Sequence, residues 1–278
     1  MAAKSIVGIL YDFDKTLCTE DMQNYSFIPA LGMTPPEFWG ATTEFSAKTN
    51  VERILSYMYM MVKLAKEKNI KLTREYLNNL GREIKFFNGV TSWFRRINEF
   101  GTSLGVQVEH YLVSSGTKEI IDGCAIAKEF KAIYGCEFYF DENSGEPIWP
   151  KTAINYTAKT QYFFRISKGA LDQSDDNKVN EKISNRRIPY RNIIYFGDGM
   201  TDIPIMILVK ENGGNSIAVY QPGSKEKVES LFEDGRVNYI AKADYSSGSD
   251  LDKVVKLIIQ EIAVSSELAR KQSQLLKK

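Results

Sequence analysis

From Ile6 to Tyr11 the chain carries no charged side chain, and the next five residues are Asp12-Phe13-Asp14-Lys15-Thr16. The continuous apolar run from Ser5 to Tyr11 fits a strand covered on both faces, as in parallel sheets. Such a sheet needs crossover helices, and the later sequence supplies the alternation. Helical patterns around Thr91 to Phe100, Lys118 to Phe130 and Ala158 to Ile166 are interleaved with short strands. Those strands are expected at Val106 to Val113, Glu137 to Phe140, Pro147 to Trp149, Asn192 to Phe196, Ser216 to Val219 and Val237 to Ala241. The turn cluster Asp141-Glu142-Asn143-Ser144-Gly145 predicts a small hairpin. A last helix is expected over Leu251 to Lys278. The fold class is therefore α/β, a Rossmann-like parallel sheet with helices on both faces.

One stretch breaks the alternation. From Thr19 to Lys85 every signal is helical. Thr34-Pro35-Pro36-Glu37 has the form of a capping box with proline at the first helical position. Asn50 is placed to cap a second helix, and Thr73 a third that runs to about Glu83. Apolar residues at Val51, Ile54, Leu55, Met58, Met61, Val62 and Ala65 keep helical spacing, so the Met and Tyr stripe at 57 to 61 belongs to a core. This helical segment, residues 18–86, is a unit inserted after the first strand. Residues 1–17 and 87–278 form the sheet domain. Residues Asp172 to Asn185 are polar and without period, so they are expected to be a surface loop or a poorly ordered insertion.

Composition narrows the partners. Lys plus Arg number 36 against 35 Asp plus Glu, a balance that gives no reason to expect nucleic acid or an anionic membrane. The apolar run at the N-terminus is too short for a signal peptide or a membrane span, so no membrane association is expected. Cys18, Cys124 and Cys136 form no paired motif, which fits reduced thiols in a cytoplasmic compartment.

Chemistry-bearing residues recur where a parallel sheet presents its ligands, at the carboxyl ends of strands. They are Asp12-Phe13-Asp14-Lys15-Thr16, Ser114-Ser115-Gly116 after the strand ending at Val113, Lys159 near a helix start, Gly197-Asp198-Gly199, and Asp202. Alone, each is an ordinary turn or surface residue. Together they suit attack by a carboxylate on phosphorus, with a hard divalent cation to offset the charge. Asp12 is the nucleophile in this scheme. Asp12, Asp198 and the Asp14 carbonyl hold Mg2+, with Asp202 one layer out orienting a water on that cation. Asp14 also serves as general acid and base. Phe13, Ser114, Ser115, Gly116 and Lys159 hold phosphate oxygens. Lys159 is favoured over Lys168 because it begins a helix, although it lies 39 residues before Asp198. His110, the one histidine, falls within a strand and is structural. Lys151, Arg186 and Arg187 are candidate substrate contacts by position alone, and the plainer reading assigns them to the surface.

Asp12-x-Asp14-x-Thr16, the strand ending in Ser114, the downstream lysine and Gly197-Asp198-Gly199-Met200-Thr201-Asp202 together resemble the haloacid dehalogenase-like hydrolase superfamily. The resemblance runs from the first strand to at least Val219. It implies a Rossmann-like core, magnesium, an aspartyl-phosphate intermediate and a mobile cap made by the helical insertion. Asn88-Gly89-Val90 resembles the return from cap to core in phosphoserine phosphatase-like members. Dehalogenating members lack the second aspartate, so Asp14 implies phosphate chemistry. Phosphoserine phosphatases carry a glutamate nine residues after the nucleophile, where it meets the substrate's amino group. Here that position is Asp21, beside Glu20, and the two are candidate substrate contacts. The plainer reading makes them solvated charges at a helix start. The leading expectation is a phosphatase acting on a small phosphorylated metabolite. A phosphotransferase or mutase shares every motif. A binding protein on a retired enzyme fold would be marked by loss of an acidic position, and none is lost.

Overall fold

A computed structural model describes residues 4–183 and 185–276. The apolar run forms β1 (Ile6–Tyr11), the central strand of a seven-stranded sheet. Its partners are β2 (Gln107–Thr117) and β5 (Ile193–Gly197), both parallel to it. With β3 (Ala132–Phe140), β4 (Pro147–Thr152), β6 (Asn215–Tyr220) and β7 (Tyr239–Lys242) the order is β4-β3-β2-β1-β5-β6-β7. Only β4 runs antiparallel, as the far half of the expected hairpin with β3. The chain builds one half of the sheet outward from β1 and then returns to build the other, so β1 borders the switch point where such sheets bind ligands.

Among the helices, α1 (Met22–Tyr25), α2 (Phe27–Ala30), α3 (Pro35–Thr49), α4 (Arg53–Glu67) and α5 (Arg74–Leu80) occupy the interval between β1 and α6 (Val90–Ser103). They are followed by α7 (Lys118–Asp122), α8 (Ala158–Lys168), α9 (Asp176–Asn180), α10 (Ile203–Glu211), α11 (Lys225–Glu233) and α12 (Asp250–Leu275). Helices cover both faces of the sheet. On one side α8 packs with α10, and on the other α6 packs with α12. Among the described residues no helix is long and apolar enough to cross a membrane. The three cysteines are buried and free.

Tyr11 shows why β1 is apolar throughout. Its ring stacks on Phe196 at 5.0 Å, and its hydroxyl accepts a hydrogen bond from Trp93 Nε1 at 2.9 Å. Full burial of side chains this large contributes roughly 1.5–3 kcal/mol each. The same hydroxyl meets His110 Nδ1 at 3.0 Å. Burial pushes the His110 imidazole down to about 3, so it stays neutral and packs as part of the core.

Several boundaries differ from the sequence expectations, each for a local reason. The helix expected over Lys118 to Phe130 stops at Asp122, followed only by a 3-10 turn at Ala127–Glu129. At Gly123 the backbone of α5 lies so close that a Cβ would sit 1.8 Å from the Asn78 carbonyl oxygen. Asn50 ends α3 in the left-handed conformation (φ 60°) rather than starting α4. The cap of α4 is Glu52, whose carboxylate accepts the Ile54 and Leu55 N–H groups. Thr34 and Thr73 sit at the helix starts expected of them, with Glu37 closing the capping box. The 172–185 segment is organised rather than loose, apart from Ser184, which lies outside the described residues. It contains α9 and wraps the buried Arg165 guanidinium, which donates to the carbonyls of Asp172 (2.9 Å) and Gln173 (3.2 Å). A cation collecting backbone carbonyls leaves no periodic trace in sequence. The final helix is described to Leu275, and Lys277 and Lys278 lie outside the described residues.

Candidate active site

Strand register brings the acidic motifs together. Tyr11 lies beside Leu112 on one side and Phe196 on the other. Asp12 and Asp198 therefore leave adjacent strands at nearly the same level, with Ser114 two residues past Leu112 within the neighbouring β2. Ligand atoms of Asp12, Asp198 and Asp202 lie within 4.8 Å of one another. Lys159, at the first turn of α8 and 0% exposed, places Nζ 2.7 Å from Asp12 Oδ1 and 2.6 Å from Asp202 Oδ1. Lys168 is at the other end of that helix, where its ammonium donates to the Val179 and Glu181 carbonyls.

Asp202 is saturated. Its Oδ1 also accepts the Tyr195 hydroxyl at 2.6 Å, and its Oδ2 accepts the N–H groups of Asp198 and Gly199. It thus fixes both Lys159 and the loop that carries Asp198. Burial raises the Tyr195 phenol well above its ordinary range, and Asp202 beside it adds to the effect, so the group stays a donor. Asp198 is different, because its carboxylate accepts no hydrogen bond among the described residues. Burial, then Asp202 and Asp12, push it well above the usual carboxylate range. Burial likewise lifts Asp12 to about 6, with Lys159 pulling it down and Asp202 raising it. Burial disfavours the Lys159 ammonium, but Asp12 and Asp202 outweigh that and hold it above its ordinary value.

Asp14 faces the same space from the other side. Its Oδ1 accepts the Met22 N–H at 2.8 Å, which ties the first inserted helix to the motif. Burial raises its carboxyl well above the ordinary value, and Asp21 and Asp12 reinforce the shift. Gly116 packs tightly beside it, since a Cβ there would meet Met22 Cε at 2.0 Å and Asp14 Oδ2 at 3.0 Å and would force the Met22 side chain to move.

The Ser114-Ser115-Gly116 motif departs from expectation. It is not a turn after a strand ending at Val113, because β2 continues to Thr117 through an irregularity in its pairing with β3. The Gly116 N–H is taken by Ser114 Oγ at 2.9 Å, so the loop arranges itself internally rather than pointing that N–H outward. The Ser115 carbonyl accepts the Tyr57 hydroxyl at 2.8 Å, while Ser115 Oγ is buried without a partner.

Asp12, Asp14, Ser114, Ser115, Gly116 and Asp198 line a cavity of 330 Å³ walled on the far side by Gln23, Trp39, Ile54 and Tyr57 of the inserted helices, while Lys159 and Asp202 are fully buried behind it. Sequence reasoning did not single out those four, nor Lys15 or Thr201, which also line it. Aromatic and apolar residues at helical spacing look like core, and Trp39 and Tyr57 do pack edge to face at 6.1 Å. Lys15, in the left-handed region (φ 56°), pairs with Asp21 at 2.6 Å, so Asp21 also lines the cavity. Glu20 does not. It borders a neighbouring groove and accepts a hydrogen bond from Asn24 at 3.1 Å. Of the residues assigned to the surface, Arg187 instead clamps the buried Glu109 far from the cavity, with Nη2 2.5 Å from Oε1.

Comparison with known proteins adds an independent line. The family model of haloacid dehalogenase-like hydrolases matches residues 9–206. An uncharacterized protein of Borreliella burgdorferi is 30% identical over 290 aligned positions, which cover 94% of this chain and 98% of its own. Among solved structures, a hydrolase of the same family from Salmonella enterica serovar Typhi superposes with TM-score 0.59 at 15% identity, covering 92% of this chain and 72% of that one. A substrate-bound phosphoserine phosphatase gives TM-score 0.58 at 16% identity over 92% and 99% of the two chains. At such identities the superpositions speak to the fold alone.

Proposed function

The chain belongs to the haloacid dehalogenase-like hydrolases, and from that premise we propose that it is a magnesium-dependent phosphatase that hydrolyses a small phosphomonoester through an aspartyl phosphate on Asp12. One observation carries the reading: Lys159 bridges Asp12 and Asp202 in a buried floor that also holds Asp198, with Asp14 across the cavity.

The donor set fits a divalent cation. Asp12, Asp198 and Asp202 bring three carboxylates against the Lys159 ammonium, and among the described residues no donor satisfies the Asp198 carboxylate. Buried charge in that excess calls for a cation with oxygen preference. Asp12, Asp198 and the Asp14 carbonyl would hold Mg2+, with Asp202 behind them. When bound, the metal supplies charge neutralisation for anion meeting anion.

The side chains perform the remaining work. Lys159 holds Asp12 in place and sets positive charge beside incoming phosphate oxygens. Asp12 Oδ2, held only by a long 3.5 Å contact from Thr16 Oγ1, attacks phosphorus, and the bond from phosphorus to the leaving oxygen breaks. Asp14, whose raised affinity for a proton suits a donor, protonates that leaving oxygen. Water then gives its proton to Asp14 as it attacks the aspartyl phosphate, which frees Asp12 and inorganic phosphate. The helical insertion acts as the cap that excludes bulk water and selects the substrate. Its wall presents Trp39, Ile54 and Tyr57 with one unpartnered Gln23 amide atom, while Lys15 is already paired. That wall suits a leaving group with an apolar body and one hydrogen-bonding group, and offers little to a second anion.

Release of phosphate from p-nitrophenyl phosphate with Mg2+ tests the assignment. Asp12→Asn is expected to lower the rate by at least about 10³-fold while the far-ultraviolet circular dichroism stays unchanged. Substantial retained activity would remove Asp12 from the nucleophile's role. Phosphoryl groups recovered on an acceptor alcohol, without free phosphate, would assign a phosphotransferase instead.

A further inference from the structure

The last helix has two apolar faces, and the fold uses one. Leu251, Val255, Ile258, Ile259 and Ile262 of α12 are buried in the body of the protein. On the opposite side run Leu257, Glu261, Val264, Leu268, Lys271 and Leu275, spaced alternately four and three residues apart. This is the spacing of a coiled-coil seam. Its four apolar members are 64, 56, 63 and 73% exposed. From Arg270 to Leu276 the helix is exposed all round, so its last turns project beyond the body. Single exposed aliphatic residues are common, whereas a continuous seam of them marks an interaction surface.

The seam is also palindromic. Leu257 and Leu275, Glu261 and Lys271, and Val264 and Leu268 are each centred on position 266. We propose that this face docks a second copy of the same chain, the two α12 helices pairing antiparallel about a two-fold axis level with residue 266, whose own side chain turns inward to Ser5. In that arrangement Leu257 meets Leu275, Val264 meets Leu268 and Glu261 meets Lys271 of the other copy. A parallel pair would instead set Glu261 against Glu261 and Lys271 against Lys271. Self-complementarity of this kind is what a closed two-fold interface requires, and a foreign partner would not impose it. The seam spans about 27 Å at 1.5 Å per residue. Antiparallel pairing lays each projecting end along the half of the partner helix that packs on its own body, so the two bodies sit at opposite ends of the seam. Glu267 falls beside its own mate near the axis, where Arg270 and Lys271 of the same chain lie 3.9 and 3.6 Å from it to balance the charge.

Sedimentation velocity of the full chain over a concentration series tests the pairing. The expected result is a reversible monomer–dimer equilibrium. Leu268→Asp, on an exposed face, should give a monomer with unchanged circular dichroism and unchanged phosphate release from p-nitrophenyl phosphate. Glu261→Lys should weaken the dimer by about tenfold or more, and adding Lys271→Glu should restore it. A wild-type chain that is monomeric throughout would overturn the proposal. So would a dimer that survives Leu268→Asp, or a charge reversal that fails to rescue.

Discussion

The two sides of the cavity are built on opposite plans. The sheet side is charged, buried and tightly cross-linked, with Lys159, Asp202 and Tyr195 holding one another at 2.6 Å. The inserted side is aromatic. Its polar tips are already engaged, Tyr57 with the Ser115 carbonyl and Trp39 with Asn24, and the buried Gln23 amide keeps one atom unpartnered. A floor of fixed charges is preorganised for one kind of chemistry, because reorientation of its groups is already paid for in folding. A wall of aromatic faces binds by shape and area, which can change without disturbing that chemistry.

The sharpest way to break this contrast is to remove the floor's cation. Lys159→Met leaves buried Asp12 and Asp202 without their counter-charge and is expected to cost about 3–5 kcal/mol of stability in metal-free protein. The pH dependence has a definite sign. Asp12 titrates near 6 in the folded protein against about 3.9 unfolded, so its contribution is fully present below pH ~4 and is lost as pH rises through about 6. Asp14 and Asp198, also raised, act in the same direction. The variant should therefore regain stability on acidification over a wider window than the parent chain, and Mg2+ should stabilise the parent by occupying its carboxylates. Thermal unfolding across pH, with and without Mg2+, measures both. A variant as stable as the parent at neutral pH would mean that the floor is not held by this cation.

On the opposite wall the effects should be smaller and of another kind. Trp39→Ala removes a cavity-lining ring while leaving the carboxylates untouched. Its expected signature is a KM raised about tenfold with kcat within about threefold, since binding common to ground and transition states is lost. A large fall in kcat instead would show that the wall positions the reacting groups. Gln23→Leu is the mildest case. Stability should change little, because the unpartnered oxygen disappears while the buried 3.3 Å bond from Gln23 Nε2 to Thr117 Oγ1 is lost. Values of kcat/KM for leaving groups that carry a hydrogen-bonding amine or hydroxyl should fall within about tenfold of the parent, with little change for p-nitrophenyl phosphate. A uniform change across such a panel would detach Gln23 from selectivity.

The same division governs what could be read before folding. The class of sheet was legible from Ile6 to Tyr11, because only a strand buried on both faces needs six uncharged residues in a row. The capping box at Thr34 and the N-cap at Thr73 were legible because they depend on residues three apart. Asn50 misled because asparagine suits both a helix start and a left-handed helix end, and only the approach of Glu52 to the Ile54 and Leu55 N–H groups decides between them. The segment around Arg165 misled because its order comes from carbonyls gathered by a distant buried cation.

By itself, then, the sequence determined the alternation of strands and helices, the helical insertion and the acidic residues at strand ends, since each follows from neighbours within a few positions. The tertiary structure decided what depends on separations of dozens of residues. It selected Lys159 rather than Lys168 as the ammonium beside Asp12, turned Asp202 into the clamp for Lys159 and the Asp198 loop, and brought Gln23, Trp39 and Tyr57 opposite them. The physical reason is that a buried charge is tolerated only where partners from remote strands and helices converge on it, and convergence is a property of the packed sheet rather than of any segment.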